Sequence, residues 1–224
     1  MALKYIFVNL KRFDVPAETG GVNRIASPDK WAETIISGLR AGLEKYRSLA
    51  AFSFFFPEAH IIQAAAAAKG TPLSVGCQGL HWEDVVRGGN FGAFTSLRPA
   101  AAMKALGCAW VIIGHCEERR ALGAVLAAAG VDDDVTAGTV NGILAKEIAA
   151  AKAQNLDVLY CIGEKAGEQE RWQDALSAQI DAGLSAAGGS LVIGYEPVWA
   201  IGPGKTPPDR AYIEKIARFV KEKT

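Results

Sequence analysis

The stretch Gly194-Tyr195-Glu196-Pro197-Val198-Trp199-Ala200-Ile201-Gly202-Pro203-Gly204-Lys205-Thr206 decides the reading of this chain. The apolar run from Leu191 to Ile193 bounds a buried strand, and Pro197 has no N–H to extend a ladder, so the strand is predicted to stop at Glu196. Beyond it, Gly202 and Gly204 flank the rigid Pro203 in a loop of small residues. A carboxylate at the end of a strand, beside a loop able to fold over it, can act as a base shielded from water. Alone, the segment is equally an ordinary strand with a surface glutamate, because most exposed acids do no chemistry.

Two further strand ends carry polar groups. Tyr5-Ile6-Phe7-Val8 forms a short apolar strand, followed by Asn9-Leu10-Lys11. On an extended backbone the side chains of Asn9 and Lys11 share a side and can point into one site. Midway, Trp110-Val111-Ile112-Ile113 is a second buried strand, and Gly114-His115-Cys116-Glu117-Glu118-Arg119-Arg120 follows it. His115 thus stands between a glycine and a charged helix start.

Short β-branched or aromatic runs alternate with longer alanine-rich segments, and no proline-, serine- or glycine-rich linker interrupts them. The expectation is one α/β domain over residues 1–224, with strands near 5–9, 50–56, 73–78, 110–114, 157–162 and 191–196 in a parallel sheet. Ser27-Pro28-Asp29 reads as a helix start with Ser27 as cap, and Thr206-Pro207-Pro208-Asp209 marks the start of the last helix.

The 24 basic and 24 acidic residues cancel, so no nucleic-acid footprint is visible. Cys77, Cys108, Cys116 and Cys161 show neither the paired spacing of zinc sites nor the density of a disulfide scaffold, which points to reduced thiols and no metal. Cys161 lies inside a strand end, where packing is expected to outweigh reactivity. The short apolar run before Lys11 and Arg12 fits neither a signal peptide nor a membrane span, so the cytoplasm is the expected location.

Together, Asn9-x-Lys11, Gly114-His115-x-Glu117 and the Tyr195 to Lys205 run resemble the triose-phosphate isomerase family, in the family's order. Tyr160-Cys161-Ile162-Gly163-Glu164 is similar to its Cys-Ile-Gly-Glu segment, and Gly92-Ala93-Phe94-Thr95 to its Gly-Ala-Phe-Thr loop. The resemblance implies an α/β fold of the TIM (β/α)8 barrel type, with the site at the carboxyl ends of the strands. It implies an aldose–ketose isomerase of glycolysis and gluconeogenesis that interconverts dihydroxyacetone phosphate and glyceraldehyde 3-phosphate through an enediolate, without a cofactor. Glu196 would be the base, His115 a neutral donor to the enediolate oxygens, and Lys11 the cation that holds charge, with Asn9 and the Gly202 amide binding substrate. Glu117 would support Lys11 or relay a proton. Ala200 to Lys205 would be a mobile lid, and Thr95 would reach a partner subunit in a homodimer.

There are departures from the family pattern. Six β/α units are counted where the family has eight, and the family's last two strands, with their phosphate-binding loops, have no counterpart before Thr224. The expectation is that the gene product is longer and that these 224 residues alone are weak or inactive. The family has Ser-Glu-Arg-Arg after its histidine, whereas this chain has Cys116-Glu117-Glu118-Arg119-Arg120. His81 to Asn90 and Ala121 to Gly138 look expanded, and Pro203 stands at the lid tip where the family has a threonine or another small residue. These changes leave open an isomerase of a four-carbon ketose phosphate, or a sugar-phosphate-binding relative without turnover. Gly204-Lys205-Thr206 ends like a P-loop, but Trp199 occupies the place of its first glycine.

Overall fold

Phe52, Phe54, Phe55 and Phe56 are all buried, on consecutive and alternate positions of one strand, so that strand is covered on both faces. This double burial is the mark of a parallel sheet flanked by helices. The computed structural model describes residues 3–188 and 191–224. Its elements run β1 (Lys4–Asn9), α1 (Trp31–Glu44), β2 (Ala50–Phe56), α2 (Ile61–Ala68), β3 (Leu73–Cys77), α3 (Ala100–Ala105) and β4 (Trp110–Ile113). They continue with α4 (Cys116–Ala128), α5 (Asp133–Ala153), β5 (Asp157–Ile162), α6 (Trp172–Ala187), β6 (Val192–Tyr195) and α7 (Arg210–Lys223).

The residues group into two compact units, one of Met1–Ile112 with Ala153–Asp157, the other of Ile113–Lys152 with Val158–Thr224. In the first, β1 pairs in parallel with β2, β2 with β3, and β3 with β4, so neighbours in the sheet are neighbours in the chain. Gly76 lets this sheet close up, since a Cβ there would stand 2.5 Å from the Phe55 ring and 2.9 Å from the Trp110 carbonyl oxygen. Helix α1 buries Trp31, Ala32 and Ile36, and the Trp31 ring meets Phe56 edge-on at 6.0 Å.

In the second unit β5 and β6 pair in parallel, Leu159 to Val192 through Ile162 to Tyr195. Helices α5 and α6 supply buried Leu144, Ile148, Leu176 and Ile180. Gly183 of α6 admits the Tyr160 ring, whose carbons would lie 2.5 Å from any Cβ built there.

Two local expectations change. Ser27 does not cap α1: the helix begins at Trp31, with Lys30 before it and no side-chain cap. Residues 27–30 turn first, closed by the Lys30 N–H on the Ser27 carbonyl, and the burial of Trp31 and Ala32 sets where the helix starts. Lys11 is not extended: β1 ends at Asn9, and Lys11 has φ of 45°. The expanded segment 121–138 is mostly helical, divided between α4 and α5. The last helix start is as expected, with Asp209 capping α7 by accepting from the Tyr212 N–H at 2.8 Å.

Candidate active site

A glycine and an extended residue turn β4 into α4. Gly114 has φ of 79°, and a Cβ on it would meet the Cys161 carbonyl oxygen at 2.7 Å, so both its conformation and its space require glycine. His115 follows with φ of −52° and ψ of 145°, as the N-cap of α4. The first N–H groups of a helix lack partners within it and attract acceptors and negative charge. Here the Glu117 N–H donates to His115 Nδ1 at 3.2 Å, and the Cys116 N–H donates to Glu196 Oε2 at 2.9 Å.

That bond fixes the imidazole. Because Nδ1 accepts from a backbone N–H, the ring proton of the neutral form belongs on Nε2. His115 Nε2 in turn lies 3.1 Å from Glu196 Oε1. The two side chains are 13% and 20% exposed, so the pair is sheltered yet reachable. The Glu117 carboxylate stands 3.6 Å from Nδ1, on the exposed side of the first helical turn.

Glu196 is positioned through its backbone. Its N–H donates to the Ile162 carbonyl at 2.8 Å, one residue beyond β6, before Pro197 ends the pairing. Gly163 lies directly against the Glu196 carbonyl, leaving no room for a Cβ. Gln179 of α6 clamps Gly163, accepting its N–H at 2.9 Å and donating to its carbonyl at 3.0 Å. Around Gly114, Glu118 accepts the N–H at 2.6 Å and Arg119 donates to the carbonyl at 2.8 Å. Arg119 also donates to Asn141, to the Tyr160 hydroxyl and to the Cys161 carbonyl. Cys161 itself is buried, and burial pushes its thiol well above the usual range, with the Glu196 charge adding to the effect.

The fully buried Glu164 gathers three donors. Its Oε1 accepts from the Tyr195 hydroxyl at 2.9 Å, the Trp199 indole N–H at 2.6 Å and the Tyr212 hydroxyl at 2.9 Å. Burial and then the bond to Glu164 raise both tyrosines above their ordinary range. Val198–Ala200 form a single 3-10 turn, after which Gly202 and Gly204 take φ of 125° and 75° in an exposed loop.

Asn9, Lys11 and Thr95 belong to the first unit. Asn9 Oδ1 accepts from the Lys11 N–H at 2.9 Å, and Gln78 Nε2 donates to the Lys11 carbonyl at 2.9 Å and the Phe55 carbonyl at 3.1 Å. These bonds hold Lys11 in its left-handed conformation. Thr95 lies in an exposed loop between Phe91 and Ser96, both at positive φ. In the second unit, His115, Glu117 and Glu196 come together at the start of α4. Gln78 and Gln179 carry no motif, and Arg119 stands in the motif after His115 without a role read from it. Glu164 was quoted within the Cys-Ile-Gly-Glu segment, but its role as an acceptor was not read there.

The fold and site define an α/β protein of parallel strands that sets a carboxylate and an imidazole at strand ends. The family model of triosephosphate isomerase matches residues 27–224, and the chain belongs to that family. It is 34% identical over 172 residues to the triosephosphate isomerase of Moorella thermoacetica, covering 74% of this chain and 60% of the relative. To that of Chlorobium chlorochromatii it is 38% identical over 141 residues, covering 61% of this chain and 48% of the relative. The chain thus spans 60% or less of the length of these two curated relatives. The crystal structure of triosephosphate isomerase from Bartonella henselae aligns with a TM-score of 0.70 at 21% identity, over 99% of this chain and 76% of that one. The likeness shows the (β/α)8 barrel fold, of which this chain carries six strand–helix units.

Proposed function

We propose that this chain carries isomerase chemistry on triose phosphates, interconverting dihydroxyacetone phosphate and glyceraldehyde 3-phosphate. The observation that carries the reading is the His115–Glu196 pair, 3.1 Å apart at the N-terminus of α4. Moving a carbonyl between adjacent carbons needs a base for a carbon-bound proton and a donor for the oxygen that gains charge. Glu196 takes the proton from one carbon and returns it to the next. His115 donates its Nε2–H to the enediolate oxygens, a glutamate–histidine pairing already known for this family. The N–H groups of the helix start beside both side chains attract negative charge.

Lys11 supplies positive charge for the enediolate and the phosphate, and Asn9 holds its backbone. Gly202 gives its N–H to the phosphate as residues 200–205 close and exclude water. No cofactor is needed, because side chains alone carry the proton. The loop with Thr95 faces a second copy in a homodimer, supported by the exposure of Phe91, Leu97 and Val86. No helix among the described residues is long and apolar enough to cross a membrane, and we place the protein in the cytoplasm.

The test is a coupled assay of triose phosphate interconversion on the natural full-length protein, beside the Glu196→Gln and Lys11→Met variants. Turnover that collapses in both variants is expected. An inactive full-length protein, or a Glu196→Gln variant as fast as the parent, overturns the reading.

A further inference from the structure

His115, Cys116 and Glu196 bring an imidazole nitrogen, a sulfur and a carboxylate oxygen within 4.8 Å of one another. Cys116 Sγ is 3.8 Å from His115 Nδ1, and Glu196 Oε1 is 3.1 Å from His115 Nε2. Ligands of a tetrahedral zinc ion, each about 2.0 to 2.3 Å from the metal, stand roughly 3.2 to 3.8 Å apart. One ion takes only one ring nitrogen, so the three ligand atoms, all within 4.8 Å of one another, must draw together by about 1 Å through side-chain rotation to meet that spacing. A mixed sulfur, nitrogen and oxygen set suits zinc or cobalt, whereas magnesium and calcium require oxygen throughout.

Access singles out the same thiol. Cys77, Cys108 and Cys161 are buried, while Cys116 is half-buried and lines a cavity of about 630 Å³ between α4, α5 and α6. The serine usual in the family at this place offers only a hard hydroxyl oxygen. Cysteine converts the position into a soft ligand beside two groups already fixed by the start of α4.

We propose that His115, Cys116 and Glu196 form an inhibitory site for zinc or a similar divalent ion. As the sulfur–metal bond forms, the Cys116 thiol gives its proton to solvent; His115 contributes the Nδ1 lone pair, releasing the Glu117 N–H to water while the ring proton stays on Nε2, and Glu196 contributes a carboxylate oxygen. Water completes the fourth position. An ion held there occupies both the proton acceptor and the imidazole, so turnover stops until a chelator removes the metal. The inhibitory consequence rests on the isomerase reading above; the metal site does not.

The test adds cobalt ion alone to the full-length protein and follows the sulfur-to-cobalt charge-transfer absorption, with zinc alone titrated by calorimetry. Expected are one ion per chain with the sulfur band, loss of that band in Cys116→Ser, and zinc binding at least tenfold weaker in Cys116→Ser and Glu196→Gln. In the unmodified protein zinc should also protect Cys116 from iodoacetamide, as read by peptide mass mapping, which requires no variant to fold. An absent band, a band that survives Cys116→Ser, or alkylation unchanged by zinc overturns the proposal. A sulfur band in a protein that never turns over triose phosphates leaves the metal site standing and overturns the isomerase reading instead.

Discussion

The carboxylate of Glu196 is engaged at both oxygens, Oε1 by His115 Nε2 at 3.1 Å and Oε2 by the Cys116 N–H at 2.9 Å. A carboxylate held this way has neither oxygen free of a partner. Under the proposed reaction it would have to give up at least one of these bonds to reach a carbon-bound proton.

Replacing that carboxylate with an amide keeps the shape and the acceptor for Cys116. Glu196→Gln is expected to fold normally and to lose about 10²- to 10⁴-fold in kcat, the range typical of removing a general base. Steady-state kinetics beside a circular dichroism spectrum checks it; less than a tenfold loss would remove Glu196 from proton transfer.

Gly163→Ala forces a methyl group against the Glu196 carbonyl. Overpacking of this kind costs about 1 to 3 kcal/mol, and here the strain falls on the backbone that aims the base. Urea unfolding should show the lower midpoint. An alanine variant as stable and as active as the parent would contradict the contact.

Tyr212→Phe removes one of the hydroxyls donated to the buried Glu164. A lost hydrogen bond to a buried acceptor costs about 1 kcal/mol or more. Because Trp199 packs edge-on against Tyr212 at 5.6 Å and shares the same acceptor, KM is expected to rise as well. Chemical denaturation and initial-rate kinetics on the one variant separate the two effects.

Raised tyrosines give a pH limit. Burial, then the bonds to Glu164, keep Tyr195 and Tyr212 protonated in the folded chain beyond their ordinary value. The stability they contribute is fully present below about pH 10, the unfolded value, and is lost as the pH rises from there toward their folded values. A base titration should show their phenolate absorbance emerging only as helical dichroism falls. Ionisation of all five tyrosines before any loss of dichroism would sink this account.

The strands were legible because each is a short apolar run, and the observed β2, β4 and β5 lie within a residue of expectation. That His115 and Glu196 stand at strand ends was legible because only one or two residues separate each from an apolar run. What the sequence hid are partners set by long-range packing. Gln78 and Gln179 are ordinary polar residues whose roles depend on which carbonyls the fold brings near them, and Arg119, though inside a quoted motif, gained its role only from the carbonyls of Gly114 and Cys161. Lys11 misled for the opposite reason: its position was read from strand period, whereas Asn9 and Gln78 bend the backbone there out of the strand. The helix start at Ser27 failed because burial of Trp31 outweighed a capping preference.

One oxygen of Glu164 holds the chain at both Trp199 and Tyr212. The intervening residues 200–211 therefore form a ring closed by hydrogen bonds. Bringing the ends of a free segment together costs entropy that grows with the logarithm of its length, and here that cost is met when the protein folds. A segment tied at both ends to one carboxylate oxygen has little freedom left to lose, so any movement of it is confined to a fixed span.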